Sequence, residues 1–377
     1  MSIKNQRFDY AQRPKSKIKN IAIVCIYLIL CGCIEEYEVR GVEEVGDILV
    51  VEGMITDHET VITLSRSVRL SDFVQPERVD SAEVYVERED GVLFKAELQP
   101  IWIIWGTPNS RYVAETGTLS MEHRYRLRIK IEEDEYVSDF SYPLQTPEID
   151  SIFWTKRGLG QWVSVYVATH DPNNQILHYR WSYTENWEIH SEIWTDSFPS
   201  LCWGSSANHG VLTGSASRMV QGRLVFPLNH ISPWDQRLSV LYRITVRQNA
   251  ISKRAYDYFE NIKKNSVWQG GIFAPTPSEL RGNIVCTTDP SKPVIGFIDV
   301  STTTTKYRFI SRRDGVYERP PSPCRIMTIA ELLEVFGFVP DWFVFIDEIG
   351  GYVQFSCVDC THAGGNLQRP ENWPDNF

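Results

Sequence analysis

The chain of 377 residues carries 42% hydrophobic, 12% aromatic and 23% charged residues, a folded globular balance that excludes a disordered tail or a low-complexity array. Its formal charge of −10 is unevenly spread: the first 32 residues hold six basic groups and one acid, so the remainder stands at −15. A surface that acidic repels phosphate backbones and lacks a basic stripe, which excludes DNA and RNA as partners. The remaining ~345 residues exceed what one hydrophobic core usually serves, so two or more domains are expected.

In chain order, Lys15, Lys17 and Lys19 precede an apolar run from Ile21 to Leu30, and Leu30-Cys31-Gly32-Cys33 follows, the order of a signal peptide. The run ends by Ile34, short of the ~20 residues a helix needs to cross hydrocarbon. Leu30 and Gly32 before Cys33 resemble the lipobox cut by the lipoprotein signal peptidase. On that reading residues 1–32 are a leader and 33–46 an anchor and linker, with Cys33 the acylated (palmitate-bearing) first residue held in outer-membrane lipid. Several acyl chains, at ~0.8 kcal/mol per buried methylene, make such an anchor stable. Glu35 and Glu36 resemble the acidic export signal of surface lipoproteins; the alternative is two solvated charges.

From Asp47 the pattern alternates. Ile48, Val50 and Glu52 share one face and Leu49, Val51 and Gly53 the other, and a second strand is expected over 61–68. Asp90-Gly91 between Val84-Tyr85-Val86-Glu87 and Val92-Leu93-Phe94-Lys95-Ala96 predicts a hairpin. Further strands are expected over 112–115, over the strictly alternating 125–131 and over 136–142. This spacing predicts an immunoglobulin-like β-sandwich over 47–146, closed by Pro143 and Pro147.

A larger β-rich domain is expected over 147–377, with strands at 149–154, 162–169, 176–187, 224–228, 238–248, 294–300 and 306–311. Within 176–187, Tyr179, Trp181 and Tyr183 share a face opposite Arg180 and Ser182. Two helices interrupt the strands. One spans 253–264, capped by Ser252; the other begins at Thr328, whose spacing to Glu331 makes a capping box. They do not alternate regularly with strands, so the fold class is mainly β rather than parallel α/β.

Several of these features together resemble one family. They are the lipobox cysteine with its acids, the strand Leu49-Val50-Val51-Glu52-Gly53-Met54-Ile55-Thr56, the stretch Pro277-Ser278-Glu279-Leu280-Arg281-Gly282-Asn283-Ile284, Val294-Ile295-Gly296-Phe297, and Cys357-Val358-Asp359-Cys360 with Gly364-Gly365. The family is the Bacteroidetes outer-membrane lipoproteins known as domain of unknown function 4249. The resemblance implies a surface accessory role beside a TonB-dependent receptor, and it supplies no catalytic residues. The closing segment departs from the family pattern, since Arg369-Pro370 is followed by Glu371-Asn372-Trp373.

Cys202, Cys286, Cys324, Cys357 and Cys360 remain after the leader and anchor. Beyond the inner membrane one or two disulfides are expected, with Cys324 bridging Cys357 or Cys360. Haem attachment at Cys357-x-x-Cys360 lacks the required His, because Thr361 follows. Zinc would have only Cys357, Cys360 and His362 nearby, and a thioredoxin-like site lacks its βαβ setting, so no metal and no cofactor are expected.

No GxSxG elbow, HExxH pair, phosphate loop or EF-hand loop occurs, so no catalytic residue is assigned. His170-Asp171 with Asn173 and Asn174 reads first as a turn and only second as a calcium loop, and Glu132-Glu133 as solvated charge. Asp80-Ser81-Ala82 and Asp150-Ser151-Ile152 resemble O-glycan acceptor sites. The expected function is therefore a non-enzymatic outer-membrane lipoprotein, at the surface or facing the periplasm, that assists a TonB-dependent receptor. The alternative is a glycan-binding module stacking sugars on Trp102, Trp105, Trp187, Trp194 and Trp203.

Overall fold

A computed structural model describes residues 48–68, 77–99, 110–208, 210–267 and 282–375. The anchor Cys33 with Glu35 and Glu36, and also Trp102 and Trp105, lie outside the described residues.

The protein is mainly β. Its first strands are β1 (Leu49–Thr56), β2 (His58–Arg66), β3 (Glu77–Arg78), β4 (Glu83–Arg88), β5 (Leu93–Gln99), β6 (Ser110–Gly117), β7 (Tyr125–Ile131) and β8 (Asp134–Ser138). In β7 the alternation sorts the side chains: Tyr125, Leu127, Ile129 and Ile131 are buried, while Arg126 reaches Glu87 on β4 at 2.9 Å. The Asp90-Gly91 turn joins β4 to β5 with Gly91 at φ 91°, a conformation that costs glycine little. Glu132 and Glu133 form the turn between β7 and β8 and are exposed.

The order along the sheet is β8-β7-β4-β5-β6-β2-β1. One later segment then extends both of its ends. β16 (Ile284–Cys286) pairs antiparallel with β8, and β17 (Val294–Gly296) and β18 (Val300–Ser301) pair parallel with β1. The sheet therefore curls round a single core that includes Leu49, Ile62, Val84, Leu127, Ile284 and Ile298. Residues 284–301 lie beyond the expected boundary near Thr146 yet belong to this first sheet. Thr146 itself is buried and takes part in hydrogen bonds with Thr302 at 2.8 Å and Ala250 at 2.9 Å.

The returning segment carries two of the motifs that mark the family resemblance, and the packing gives them a physical reason. A Cβ at Gly282 would fall 1.6 Å from the carbonyl oxygen of Gly296, and one at Gly296 would fall 2.5 Å from that of Val51. Only glycine allows these backbones so close. The buried Asn283 donates to the Ile298 carbonyl at 2.7 Å and accepts from the Ile298 N–H at 2.8 Å, doing the work of a strand partner. Asn283→Ala orphans both backbone groups and is expected to cost about 2–3 kcal/mol in urea unfolding. A loss below about 0.5 kcal/mol, the scale of an ordinary surface change, would show that the side chain does not close the sheet.

The second body is a sandwich. Its smaller sheet has the order β14-β10-β9, from β9 (Ile149–Thr155), β10 (Val163–Thr169) and β14 (Leu224–Ile231). The larger runs β12-β11-β15-β19, from β11 (His178–His190), β12 (Leu201–Ala207), β15 (Leu241–Ala250) and β19 (Thr303–Ser311), with β13 (Leu212–Ser215) also on β11. Val163, Val165, Val167, Trp181, Ile244 and Val246 fill the space between them. Tyr179 and Trp181 point into this core, and Arg180 and Ser182 point out. The turn after β10 is built by Asp171, whose carboxylate accepts from the N–H groups of Asn173, Gln175 and Ile176 at 2.8–3.0 Å. Burial pushes this carboxyl up, but the three backbone bonds outweigh it and hold it below the usual range.

Helix α1 (Lys253–Val267) begins at Ser252, whose hydroxyl accepts from the Ala255 N–H at 3.1 Å. Its Ala255, Tyr258 and Phe259 pack on Met54 and Phe297, joining the sandwich to the curled sheet. Helix α2 (Ile329–Phe336) starts with the full Thr328–Glu331 capping box. β12, β13 and the hairpin β20 (Phe343–Ile346) and β21 (Gly351–Gln354) were not legible as strands. The Gly- and Ser-containing Leu201–Ala207 segment reads as loop, and four-residue apolar runs carry no period.

Candidate functional site

Beyond β19 the chain folds into a small cap made of α2, the β20–β21 hairpin and the one-turn helix α3 (Phe355–Val358). Its own core is slight: Met327, Leu332 and Phe343 are buried against Tyr352. A second cluster, Ile346, Val353 and Val358, rests on Ile193 and Phe198 of the β11–β12 connection. So little burial cannot hold a module in place by itself.

Covalent bonds do. Cys324 bridges Cys357 inside the cap, with Cα atoms 5.7 Å apart, and Cys360 bridges Cys202 on β12, with Cα atoms 5.6 Å apart. Both sulfurs of the Cys-x-x-Cys pair are thus used, each by a different partner, and Cys286 is left as a buried free thiol. Gly365 permits the second bridge, since a Cβ there would fall 2.5 Å from the Cys202 Cβ. Backbone bonds from Cys360 to Pro199 (3.0 Å) and between Trp203 and Asn366 (2.8 and 2.9 Å) complete the attachment.

What the cap presents is apolar. Ile329, Leu333 and Phe336 follow one another at helical spacing on the solvent side of α2, and only Leu332 of that helix is buried. Val335 is 63% exposed, Phe338 53% and Trp342 52%. Rings tie the surface together: Phe336 lies 6.3 Å from Trp342 and 5.9 Å from Phe343, and Phe345 lies 5.1 Å from Tyr352. Single exposed apolar residues are ordinary on a monomer, but Ile329, Leu333 and Phe336 share one helix face with the Trp342 ring near Phe336, which makes that face a candidate binding surface. The cap also exposes the acids Glu334, Asp341, Asp347 and Glu348.

Beside the row lies a groove of about 450 Å³ lined by Asp341, Trp342, Gln354, Phe355, Ser356 and His362. His362 Nδ1 is 3.2 Å from Asp359, and its ring stacks on Phe355 with centroids 4.8 Å apart. Ser356 and His362 both line the groove, and the imidazole is turned to Asp359. Among the described residues, no group of three or more His, Cys, Asp or Glu side chains is placed to hold a metal. His170 and Asp171 do not converge on a common ion: His170 pairs with Asp150 at 2.8 Å, and Asp171 serves its turn.

The tryptophans named from the sequence scatter. Trp194 is fully on the surface, whereas Trp187 and Trp203 are half-buried beneath the larger sheet's attachments. The exposed Trp342, which the sequence did not single out, lies on the apolar row instead; its neighbours Trp342-Phe343-Val344-Phe345 were the available signal. Ser81 and Ser151 are both exposed.

With this geometry in hand, the lineage can be stated: the chain belongs to the family described as Domain of unknown function (DUF4249), whose model matches residues 34–307. The match ends inside β19, so the disulfide-pinned cap lies beyond the matched span. No curated protein matches the chain.

Proposed function

We propose that this protein is a lipid-anchored, non-enzymatic outer-membrane accessory that docks a TonB-dependent receptor through the apolar row of its cap. The observation that carries the docking role is that row, Ile329, Leu333 and Phe336 with Trp342 near Phe336, exposed on a module fixed by two disulfides. A surface held rigid before binding loses little freedom on association, so its apolar anchors contribute more fully to affinity. The acids exposed on the same cap bear on the choice of occupant. Anionic lipid would be repelled by Glu334, Asp341, Asp347 and Glu348, whereas a protein face with an apolar centre and basic border complements them. The lipobox at Cys33 supports the location, and the family resemblance supports the choice of receptor.

Carrying Ile329→Asp and Leu333→Asp together, the protein is expected to keep its circular dichroism and its membrane association. Its recovery with the receptor after cross-linking is expected to fall about tenfold or more, since two interface anchors of ~1 kcal/mol or more are lost. Cys33→Ser in the same cells is expected to abolish palmitate labelling and release the chain from membranes. Undiminished receptor recovery would remove the docking role, and retained labelling would remove the anchor.

The glycan-binding alternative draws on one observation, the groove that sets Trp342 beside Asp341, Gln354 and His362. A Trp342→Ala variant that lost binding to an arrayed glycan while keeping the receptor would favour it.

A further inference from the structure

Away from the cap, a cavity of about 230 Å³ lies where β1 and β2 of the curled sheet face β11 and β15 of the sandwich. Its chemistry is cationic. Arg180 projects into it from β11 and Arg247 from β15, with Ser182 and Asn249 beside them. Arg180 is half-buried, and one face of its guanidinium is covered by the Phe259 ring at 4.7 Å. Among the described residues no carboxylate lies within ion-pair distance of Arg180 and no acceptor takes its N–H groups. Burial pulls its pKa below the ordinary arginine value, and Glu52 offsets this only through its field.

A guanidinium does not shed its proton in proteins, so Arg180 stays charged, with Phe259 over one face and its N–H donors open to the cavity. Arg247 likewise has no ion-pair partner among the described residues, although it is exposed. The one carboxylate on the wall, Glu59, is turned to Arg111 at 3.4 Å. Asn249 Nδ2 donates to the Thr302 carbonyl (3.1 Å) and the Thr303 hydroxyl (2.9 Å), which fixes its amide.

We infer that this cavity is a binding site for a small molecule bearing an oxyanion, a carboxylate or a phosphate, clamped between Arg180 and Arg247. Planar guanidinium donors suit such groups, and the cavity accepts a compact head group rather than a polymer.

Calorimetric titration of the full chain tests this with acetate, citrate and inorganic phosphate as separate probes, at constant ionic strength set by chloride. Saturable binding of one or more of them is expected, and which probe binds distinguishes a carboxylate from a phosphate ligand. Arg247→Gln, an exposed change with little folding risk, is expected to weaken that binding about tenfold, and Arg180→Gln to abolish it. If Arg180→Gln misfolds, Arg247→Gln alone decides. No binding of any probe by the wild-type chain, or equal binding by wild type and Arg247→Gln, overturns the assignment.

Discussion

Glu185→Ala is expected to remove about 3–5 kcal/mol of stability, a large share of the 5–15 kcal/mol that holds a typical domain. Glu185 is 3% exposed on β11 and accepts from Arg237 at 3.0 and 3.1 Å, from the Tyr242 hydroxyl at 2.5 Å and from Asn229 at 2.8 Å. Burial first, and then the Glu185 charge, pushes the Tyr242 phenol well above its ordinary value, so it stays protonated and donates. Alanine would strand a buried hydroxyl and leave Arg237 with Asp235 alone. Glu185→Gln, which keeps an acceptor in place, is expected to cost less. Urea midpoints of the two variants check this, and an alanine variant within about 1 kcal/mol of wild type would mean that the network is incidental. The consequence reaches the surface, because Gln236 and Ser239, flanking Arg237, line a cleft of about 510 Å³ beside the cap.

Cys202→Ala together with Cys360→Ala is expected to cost about 5 kcal/mol in the chain-entropy account, because the bridge closes 158 residues. Losing Cys324–Cys357, which closes 33, is expected to cost about 4 kcal/mol on the same account. The effects should also differ in kind. Without Cys202–Cys360 the cap keeps its inner staple but loses its covalent tie to β12, so trypsin should cut at exposed Arg325, which Ile326 follows, at least about tenfold faster while the sandwich stays protected. Equal cleavage rates in wild type and variant would mean that packing of Ile346, Val353 and Val358 is sufficient to seat the cap. On the proposed docking role, recovery with the receptor should weaken in parallel.

Particular elements show where reading the chain succeeds. β7, the Asp90-Gly91 hairpin and the Thr328–Glu331 box are local statements, each specified by residues within a few positions of one another, and the folded protein contains all three. The motifs around Gly282 and Gly296 were visible as motifs, but their reason, two backbones in contact with each other and with Val51, was not. α2 was legible as a helix, yet nothing in its apolar spacing distinguishes a face covered by the body from one left in solvent. Arg180 read simply as the polar side of a strand.

Composition, alternation and capping chemistry by themselves determined that this is a mainly β protein of net negative charge, because those signals act over one strand or one helical turn. Tertiary structure alone decided which cysteines pair, that residues 284–301 return to join both ends of the first sheet, and which apolar and cationic groups stay unpartnered. Apart from Cys324–Cys357, which closes 33 residues, the pairings of cysteines and strands depend on contacts between residues more than a hundred positions apart, where loop closure and mutual packing, rather than local preference, choose the neighbour.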